Sequence, residues 1–220
     1  MKRFSNIRNY AKLSVAPMMD WTDRHCRYFH RTLSKNTLLY TEMVTSPALI
    51  KGNATHLLEF DKSEHPVALQ LGGSDPIELA KAAVIGSKYG YDEINLNVGC
   101  PSDRVQSGTF GAVLMKTPEV VAKCCKEMIN AVDTEVTVKC RVGVDQQKPD
   151  VTLPKFLEHI SNAGVTRVII HARKAILSGL SPKQNRNVPP LNYELVYKMK
   201  ELFPDLHISL NGGIQSIRQA

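Results

Sequence analysis

Short apolar runs alternate along the chain with longer stretches of helical periodicity. Seven of these runs predict β-strands, at residues 13–16, 38–40, 67–71, 93–97, 136–140, 167–171 and 207–211. Helix starts lie between most of them: Asp75-Pro76 and Thr117-Pro118 each combine an N-cap residue with a proline at the first helical position. Two later helices are expected, one beginning at 150–154 and ending at Gly164, the other covering 192–203. Strands that alternate with helices predict a parallel sheet covered by helices.

Two α/β architectures are compatible with this order of elements. An open doubly wound sheet usually has a glycine-rich phosphate loop after its first strand, but here that turn is Pro17-Met18-Met19-Asp20. A TIM (β/α)8 barrel instead collects functional groups from the ends of many strands, which is the pattern seen here. The sequence stops after Gly213-Ile214, so we expect one barrel domain over residues 1–220, truncated after its seventh strand.

Polar residues at the strand ends are the candidate site. Cys100 follows the fourth predicted strand in the segment Asn95-Leu96-Asn97-Val98-Gly99-Cys100-Pro101, where Gly99 and Pro101 restrict its backbone. A free cysteine is often only a small buried apolar residue. A thiol of ordinary pKa, about 8.5, is mostly protonated at neutral pH and suits a general acid. The later segment with Gly108 and Gly111 is expected to close over a substrate.

Other strand ends supply an ammonium, a guanidinium, an imidazole and amides. Strand alternation places Lys139 and Arg141 on the same face, where a cation suits an anionic cofactor or is simply a snorkelling side chain. His171 ends the sixth strand as either a ligand residue or a satisfied core histidine. The amides near other strand ends belong to Gln70, Asn95 and Asn97. Glycines in Asn211-Gly212-Gly213 let the backbone approach a phosphate.

Composition narrows the class of protein and of partner. The net charge of +7, from 28 basic and 21 acidic residues, favours a polyanionic partner. The loop after the sixth strand is basic, and is either a solvated surface or a nucleic-acid contact. Five cysteines without a C-x-x-C pair argue against a disulfide framework or a metal site and for a reducing, cytoplasmic setting. We expect no secretory signal, no membrane partner and a monomer.

Several motifs together resemble the tRNA-dihydrouridine synthase family, and the likeness extends over nearly the whole chain. They are Ala16-Pro17-Met18-Met19, Gln70-Leu71-Gly72-Gly73, Asn95-Leu96-Asn97-Val98-Gly99-Cys100-Pro101, Val138-Lys139-Cys140-Arg141-Val142-Gly143, His171-Ala172-Arg173 and Asn211-Gly212-Gly213. The segments Trp21-Thr22-Asp23-Arg24 and His171-Ala172-Arg173-Lys174 are most similar to the bacterial (20/20a) type of that family.

The resemblance implies an FMN-dependent reductase that uses NADPH to convert a D-loop uridine of tRNA to dihydrouridine. By matching position, the residues expected to hold FMN are Pro17, Met18, Met19, Gln70, Lys139, His171, Asn211, Gly212 and Gly213. Cys100 is the expected proton donor, and Asn97 is expected to contact the uracil. The residues expected to contact substrate or tRNA are Arg141, Lys183, Gln184 and Arg186.

The family also has an eighth strand and a C-terminal helical domain that binds tRNA, and neither is expected within these residues. An open barrel exposes strand edges, so we expect this chain alone to be poorly stable, to bind FMN weakly and to have little activity on tRNA. Two other functions remain open. One is a flavin-dependent dehydrogenase of a free pyrimidine, of the dihydroorotate type, and the other is an inactive barrel that only binds RNA or phosphate.

Overall fold

The computed structural model describes residues 12–102 and 110–220. Its chain forms two compact units. The first comprises the described part of Met1–Leu96 together with Glu127–Val136, and the second comprises the described part of Asn97–Lys126 together with Thr137–Ala220. Each unit is a set of parallel strands joined through helices, and the two are described separately below.

The first unit contains the early strands, which pair in chain order and in parallel. Its elements are β1 (Ser14–Val15), α1 (Arg24–Leu33), β2 (Leu38–Thr45), α2 (Ser46–Ile50), β3 (Val67–Gly72), α3 (Pro76–Tyr89) and β4 (Glu93–Val98), the last two residues of β4 belonging to the second unit. Two 3-10 helices, Ala54–Leu58 and Lys62–Glu64, lie between α2 and β3. Every residue of β3 and β4 is buried, so these strands form the centre of the packing.

The second unit contains the later strands, again parallel and in chain order. Its elements are α4 (Pro118–Ala131), β5 (Glu135–Arg141), α5 (Pro149–Asn162), β6 (Arg167–His171), α6 (Tyr193–Leu202) and β7 (His207–Asn211), and the first unit takes the end of α4 and the start of β5. Two 3-10 helices, Gly111–Lys116 and Gln184–Arg186, precede α4 and α6.

Local signals account for most helix ends. The Asp75 side chain accepts a hydrogen bond from the Glu78 amide at the start of α3, and Gly90 ends that helix with a φ of 91°. Asn192 caps α6 in the same way by accepting from the Leu195 amide. The start of α5 was predicted one residue late, because Pro149 rather than Asp150 is its first residue, and Pro154 lies inside the helix.

Two features of the first unit differ from the predictions. Strand β2 extends five residues beyond the predicted end at residue 40, reaching Thr45. Thr41 and Glu42 interrupt the apolar run. Thr41 is nevertheless buried, and its hydroxyl oxygen accepts a hydrogen bond from the Gln70 amide of β3, which offsets the cost of burying the hydroxyl group. Helix α1 was not predicted, because its sequence is rich in arginine and histidine and has few apolar positions.

Candidate functional site

Three polar residues at the carboxyl ends of neighbouring strands form a row in the second unit. Arg141 of β5 pairs with His171 of β6, which in turn pairs with Asn211 of β7. Residues in register in a parallel sheet point to the same face, and Lys139, two residues before Arg141, shares that face. The register therefore brings together four of the residues that the sequence assigned to one site.

Lys139 lies on the same face of β5, two residues before Arg141. Its ammonium nitrogen Nζ donates a hydrogen bond to Oδ1 of Asn211 at 3.0 Å. Burial, together with the nearby guanidinium of Arg141, lowers the pKa of Lys139 to about 8. The ammonium group is therefore mostly charged at neutral pH and is easily neutralised above it.

The His171 ring is buried and poor in partners. Only 8% of the residue is exposed, and its Nε2 atom has no hydrogen-bond partner among the described residues. Burial, and then the positive charges of Arg141, Lys139, Arg173 and Arg186, lowers the pKa of His171 to about 2. His171 is therefore a neutral imidazole at physiological pH.

Arg141 connects two loops, the one after β4 and the one after β6, through three backbone carbonyl groups. Its Nε donates to the Gly99 oxygen at 3.1 Å, and its Nη1 donates to the oxygens of Asn185 at 2.8 Å and Lys174 at 3.4 Å. Only 3% of the residue is exposed, and burial lowers its pKa to about 10. These contacts give Arg141 a structural role. The substrate contact that we expect for Arg141 remains a prediction.

The loop that carries Cys100 is fixed by the side chain of Asn97. Oδ1 of Asn97 accepts hydrogen bonds from the amides of Gly99 at 3.0 Å and Cys100 at 2.9 Å. The Cys100 carbonyl accepts from the Ala112 amide at 2.9 Å, and its half-buried thiol lies 3.5 Å from the Ser102 hydroxyl. This geometry holds the thiol at the end of β4. The expected closing segment includes Gly108, which lies outside the described residues.

The two glycines after β7 permit a close approach to the backbone. Gly212 and Gly213 have φ angles of 106° and 71°, which side-chain-bearing residues rarely adopt. A Cβ on Gly212 would lie 2.5 Å from Cδ2 of His171, and one on Gly213 would lie 2.5 Å from Cδ1 of Leu191. Any larger residue would therefore displace the histidine ring or its surroundings.

The positive charges around His171 have no carboxylate partners among the described residues. None of Lys139, Arg141, Arg173 and Arg186 forms an ion pair within the part of the chain that the structure describes. Buried cations are costly unless an anion compensates them. A buried ring nitrogen without a partner among the described residues, surplus positive charge and a glycine cradle suit a planar cofactor with a phosphate group, so the residues present fit the FMN that the family resemblance implies.

The basic loop after β6 presents its side chains to solvent around one buried anchor. Lys183, Gln184 and Arg186 are exposed. Asn185 is fully buried, and its Nδ2 donates to the carbonyl oxygens of Ile176, Leu180 and Ser181. The loop is therefore a structured platform for exposed polar side chains. Sequence reasoning missed Asn185, because a single asparagine in a polar loop gives no signal of burial.

The remaining predicted cofactor residues lie in the first unit. Gln70 is buried in β3, and its Nε2 donates to Oδ1 of Asn95 in β4 at 2.8 Å. Pro17 is half-buried in the turn after β1, and the adjacent Met18 and Met19 are exposed. Their roles toward FMN remain predictions.

The described residues form neither a metal-binding cluster nor a membrane-spanning helix. Within residues 12–102 and 110–220, no group of three or more histidine, cysteine or acidic residues is arranged to hold a metal ion. No helix in the described portion is long and apolar enough to cross a membrane. All five cysteines are free.

The fold resembles that of a solved structure with little sequence similarity. A variant of NCR from Zymomonas mobilis matches with a TM-score of 0.51 at 11% identity, and the match covers 90% of this chain and 80% of that one. At this identity the likeness concerns the fold alone. With the parallel strands and alternating helices, it confirms the predicted α/β fold of the TIM-barrel type.

Sequence comparison identifies close relatives that share most of this chain. tRNA-dihydrouridine(20/20a) synthases from Shewanella oneidensis and Synechocystis sp. are 56% and 58% identical over 94% of the chain and 62% of their own length. The enzyme of that name from Escherichia coli (strain K12) is 58% identical over 100% of the chain and 64% of its own length. The chain thus spans less than two thirds of these relatives.

A family model gives the same assignment independently of any single relative. The model described as Dihydrouridine synthase (Dus) matches residues 14–220, which include every strand and the whole row of polar residues at the strand ends. The resemblance found in the motifs is therefore confirmed, and the chain belongs to the dihydrouridine synthase family.

Proposed function

We propose that this chain carries the catalytic site of an enzyme that reduces a D-loop uridine of tRNA to dihydrouridine, with FMN as its cofactor and NADPH as its reductant. The observation that carries the proposal is the group of cations around the neutral His171, next to the loop of Cys100, which form no ion pair with the residues that the structure describes. Family membership and relatives named as tRNA-dihydrouridine synthases support the same reaction.

The residues of the second unit have suitable chemistry for holding the cofactor. Lys139 and the backbone amides of Gly212 and Gly213 offer positive charge and donors to an anionic group, and the buried Nε2 of His171 offers one further hydrogen bond. FMN, once bound and reduced by NADPH, supplies the hydride that adds to C6 of the uracil. Pro17, Met18, Met19, Gln70 and Asn211 complete the proposed cofactor site by the family resemblance.

Cys100 supplies the proton that completes the reduction. Addition of hydride at C6 leaves negative charge on C5 and the C4 carbonyl, and transfer of the thiol proton to C5 completes the saturated ring. The thiolate left on Cys100 then regains a proton from water. A carboxylic acid would be mostly ionised at neutral pH, so a protonated thiol is the better donor. We propose that Asn97, which fixes this loop, also contacts the uracil.

The exposed polar side chains of the basic loop are proposed to contact tRNA. Lys183 and Arg186 are able to neutralise phosphates, and Gln184 is able to bond to phosphate, sugar or base edges. The target base must leave its stack to reach a cofactor, and a tRNA loop lowers that cost because its bases are partly unstacked. With tRNA as substrate, we propose a monomeric enzyme that acts in the cytoplasm.

The proposal is tested by incubating the chain, and a version extended to the length of its relatives, with unmodified tRNA, FMN and NADPH. Dihydrouridine is then mapped by mass spectrometry. Cys100→Ala is expected to lower the rate by about 100-fold or more, the range typical for removal of a general acid. The matched control is Cys26→Ala, because Cys26 is the other free, half-buried cysteine.

Two outcomes would contradict the proposal. One is an extended chain that binds FMN but forms no dihydrouridine, and the other is a Cys100→Ala variant as active as Cys26→Ala. Reduction of a free pyrimidine without salt-sensitive binding of tRNA would instead favour a small-molecule dehydrogenase.

A further inference from the structure

We propose that Asp145 is a positioning residue that holds the Cys100 loop in place by joining the loops that follow β4, β5 and β6. The inference deepens the proposed function, on which its catalytic consequence rests. All of the contacts involved lie within the second unit.

The backbone of Asp145 is held in an unfavourable conformation by two hydrogen bonds. Its φ is 46°, in the left-handed region that residues other than glycine, asparagine and aspartate rarely adopt. Its amide donates to the Ala175 carbonyl at 2.8 Å, and its own carbonyl accepts from Nζ of Lys174 at 2.7 Å. Such a conformation persists only where its surroundings enforce it, and here they belong to the loop after β6.

The side chain of Asp145 contacts two different segments at once. Its Oδ1 accepts a hydrogen bond from the Leu177 amide at 2.8 Å, again in the loop after β6. Its Oδ2 forms an ion pair with Nζ of Lys116 at 2.8 Å. Lys116 is the last residue of the 3-10 helix Gly111–Lys116, so one carboxylate joins that helix to the loop after β6.

The same 3-10 helix is bonded directly to the cysteine loop. The Ala112 amide near its start donates to the Cys100 carbonyl at 2.9 Å. Near its end, the Met115 carbonyl accepts from Nε2 of Gln147, a neighbour of Asp145, at 3.2 Å. The helix is therefore attached to Cys100 at one end and to the loop after β5 at the other. Loss of the ion pair between Asp145 and Lys116 would thus loosen the end of the helix that helps to hold Cys100.

The connection reaches the proposed tRNA-contacting loop as well. Lys174, whose ammonium group binds the Asp145 carbonyl, uses its own carbonyl to accept from Arg141. Arg141 also holds Asn185, the buried anchor of the basic loop. Asp145 thus links the segment that supplies the proposed proton donor with the segment proposed to contact tRNA.

Asp145→Asn removes the negative charge of the side chain and keeps its size and shape. Asparagine tolerates the left-handed backbone and keeps an Oδ1 acceptor for the Leu177 amide, but it loses the ion pair with Lys116. Lys116→Met removes the same pair from the other side, and Lys116→Arg preserves it. Lys126→Met is the matched control, because Lys126 is an exposed lysine of α4.

The first measurement is the rate at which iodoacetamide alkylates Cys100 in the 220-residue chain, mapped by peptide mass spectrometry, with Cys26 as the internal reference. Asp145→Asn and Lys116→Met are each expected to change the ratio of the Cys100 to the Cys26 rate by about threefold to fivefold, the range that a half-exposed ion pair supports. The double variant is expected to add nothing further, and Lys116→Arg is expected to match the wild type.

The second measurement is the kinetics of tRNA reduction. Both charge-removing variants are expected to lower kcat by a similar factor. The Kd for FMN and the KM for tRNA are expected to stay within twofold of the wild-type values. General unfolding would not lower kcat while leaving both constants unchanged. Unchanged Cys100 alkylation, additive effects in the double variant, or a parallel loss of FMN affinity would overturn the inference. These kinetics are measured on the version extended to the length of its relatives. If that extended wild type reduces no uridine, the proposed function fails, and the alkylation ratio alone decides the positioning role.

Discussion

Arg27 of the first unit and Arg141 of the second are both buried, but they have different kinds of partner. In the first unit, Arg27 forms an ion pair with Glu64 at 2.5 Å, and the two side chains are 6% and 1% exposed. In the second unit, the buried Arg141 and the half-buried Lys139 have no ion pair among the residues that are described. A buried cation that already has its anion stabilises the fold, whereas cations that bind only neutral groups are consistent with the anionic ligand proposed above.

Polar side chains near strand ends show the same contrast. In the first unit, Nε2 of Gln70 donates to Oδ1 of Asn95. In the second unit, Nε2 of His171 has no partner among the described atoms. Satisfied pairs of this kind stabilise a core, while an unsatisfied buried nitrogen beside surplus charge marks a place where binding recovers a lost interaction. The following predictions test this difference.

The largest effect is expected from removal of one partner of the ion pair in the first unit. Glu64→Gln leaves the Arg27 guanidinium buried without an anion, so we expect the free energy of unfolding to fall by about 3–5 kcal/mol. Urea denaturation followed by circular dichroism measures the change. Glu59→Gln is the control, because the Glu59 side chain is 63% exposed and is expected to change stability by less than about 0.5 kcal/mol.

An equal loss in the two variants would contradict the assignment of Arg27 and Glu64 to fold stability. A Glu64→Gln variant that keeps its stability but loses FMN binding would show that the ion pair serves cofactor binding rather than fold stability.

The corresponding change in the second unit is expected to have the opposite effect on stability. Lys139→Met removes a cation that forms no ion pair with the described residues, so the ligand-free protein is expected to be as stable as the wild type or more stable. Affinity for FMN is expected to fall by about 10- to 100-fold, the range for loss of a hydrogen bond to a charged group. Fluorescence quenching of FMN measures the affinity, and a destabilised variant with normal affinity would reverse the interpretation.

The sequence predicted the strands well because apolar β-branched runs are a local signal. It also placed Lys139 and Arg141 on one face, since alternation along a strand needs no knowledge of the neighbours. The register that aligns Arg141 with His171 and Asn211 depends on how loops bring strands together, and no single segment contains that information.

Other parts of the site were hidden for the same reason. Gln70 gives the same sequence signal as His171, a polar residue near the end of an apolar run, but the structure pairs it with Asn95. The left-handed backbone of Asp145 and the burial of Asn185 are consequences of contacts between loops. Neither residue belongs to a motif that identifies it before the loops are packed.

A smaller effect is expected in the pH dependence of cofactor binding. Because the pKa of Lys139 is lowered to about 8, its ammonium group loses its proton as the pH rises from 7 to 9. An anionic ligand binds the protonated form, so the affinity for FMN is expected to fall by about tenfold over this interval. Lys139→Met is expected to show no such fall, and a parallel loss in the variant would assign the dependence to another group.

The smallest effect is expected in stability under mildly acidic conditions. Burial and the surrounding cations lower the pKa of His171 to about 2, whereas the same ring in the unfolded chain titrates near 6.5. The unfolded state therefore binds more protons below pH 6.5, and the contribution of His171 to stability is lost as the pH falls below that value. Between pH 6.5 and 5.5 the loss is expected to be about 1 kcal/mol. Urea denaturation at these two pH values measures the loss of stability in each protein. His171→Gln is expected to lose less stability than the wild type. The control, His159→Gln, replaces a ring exposed on α5 and is expected to lose as much stability as the wild type. If all three proteins lose stability equally, the histidine is able to accept a proton in the folded state, and the cations around it are then already balanced in the absence of a ligand.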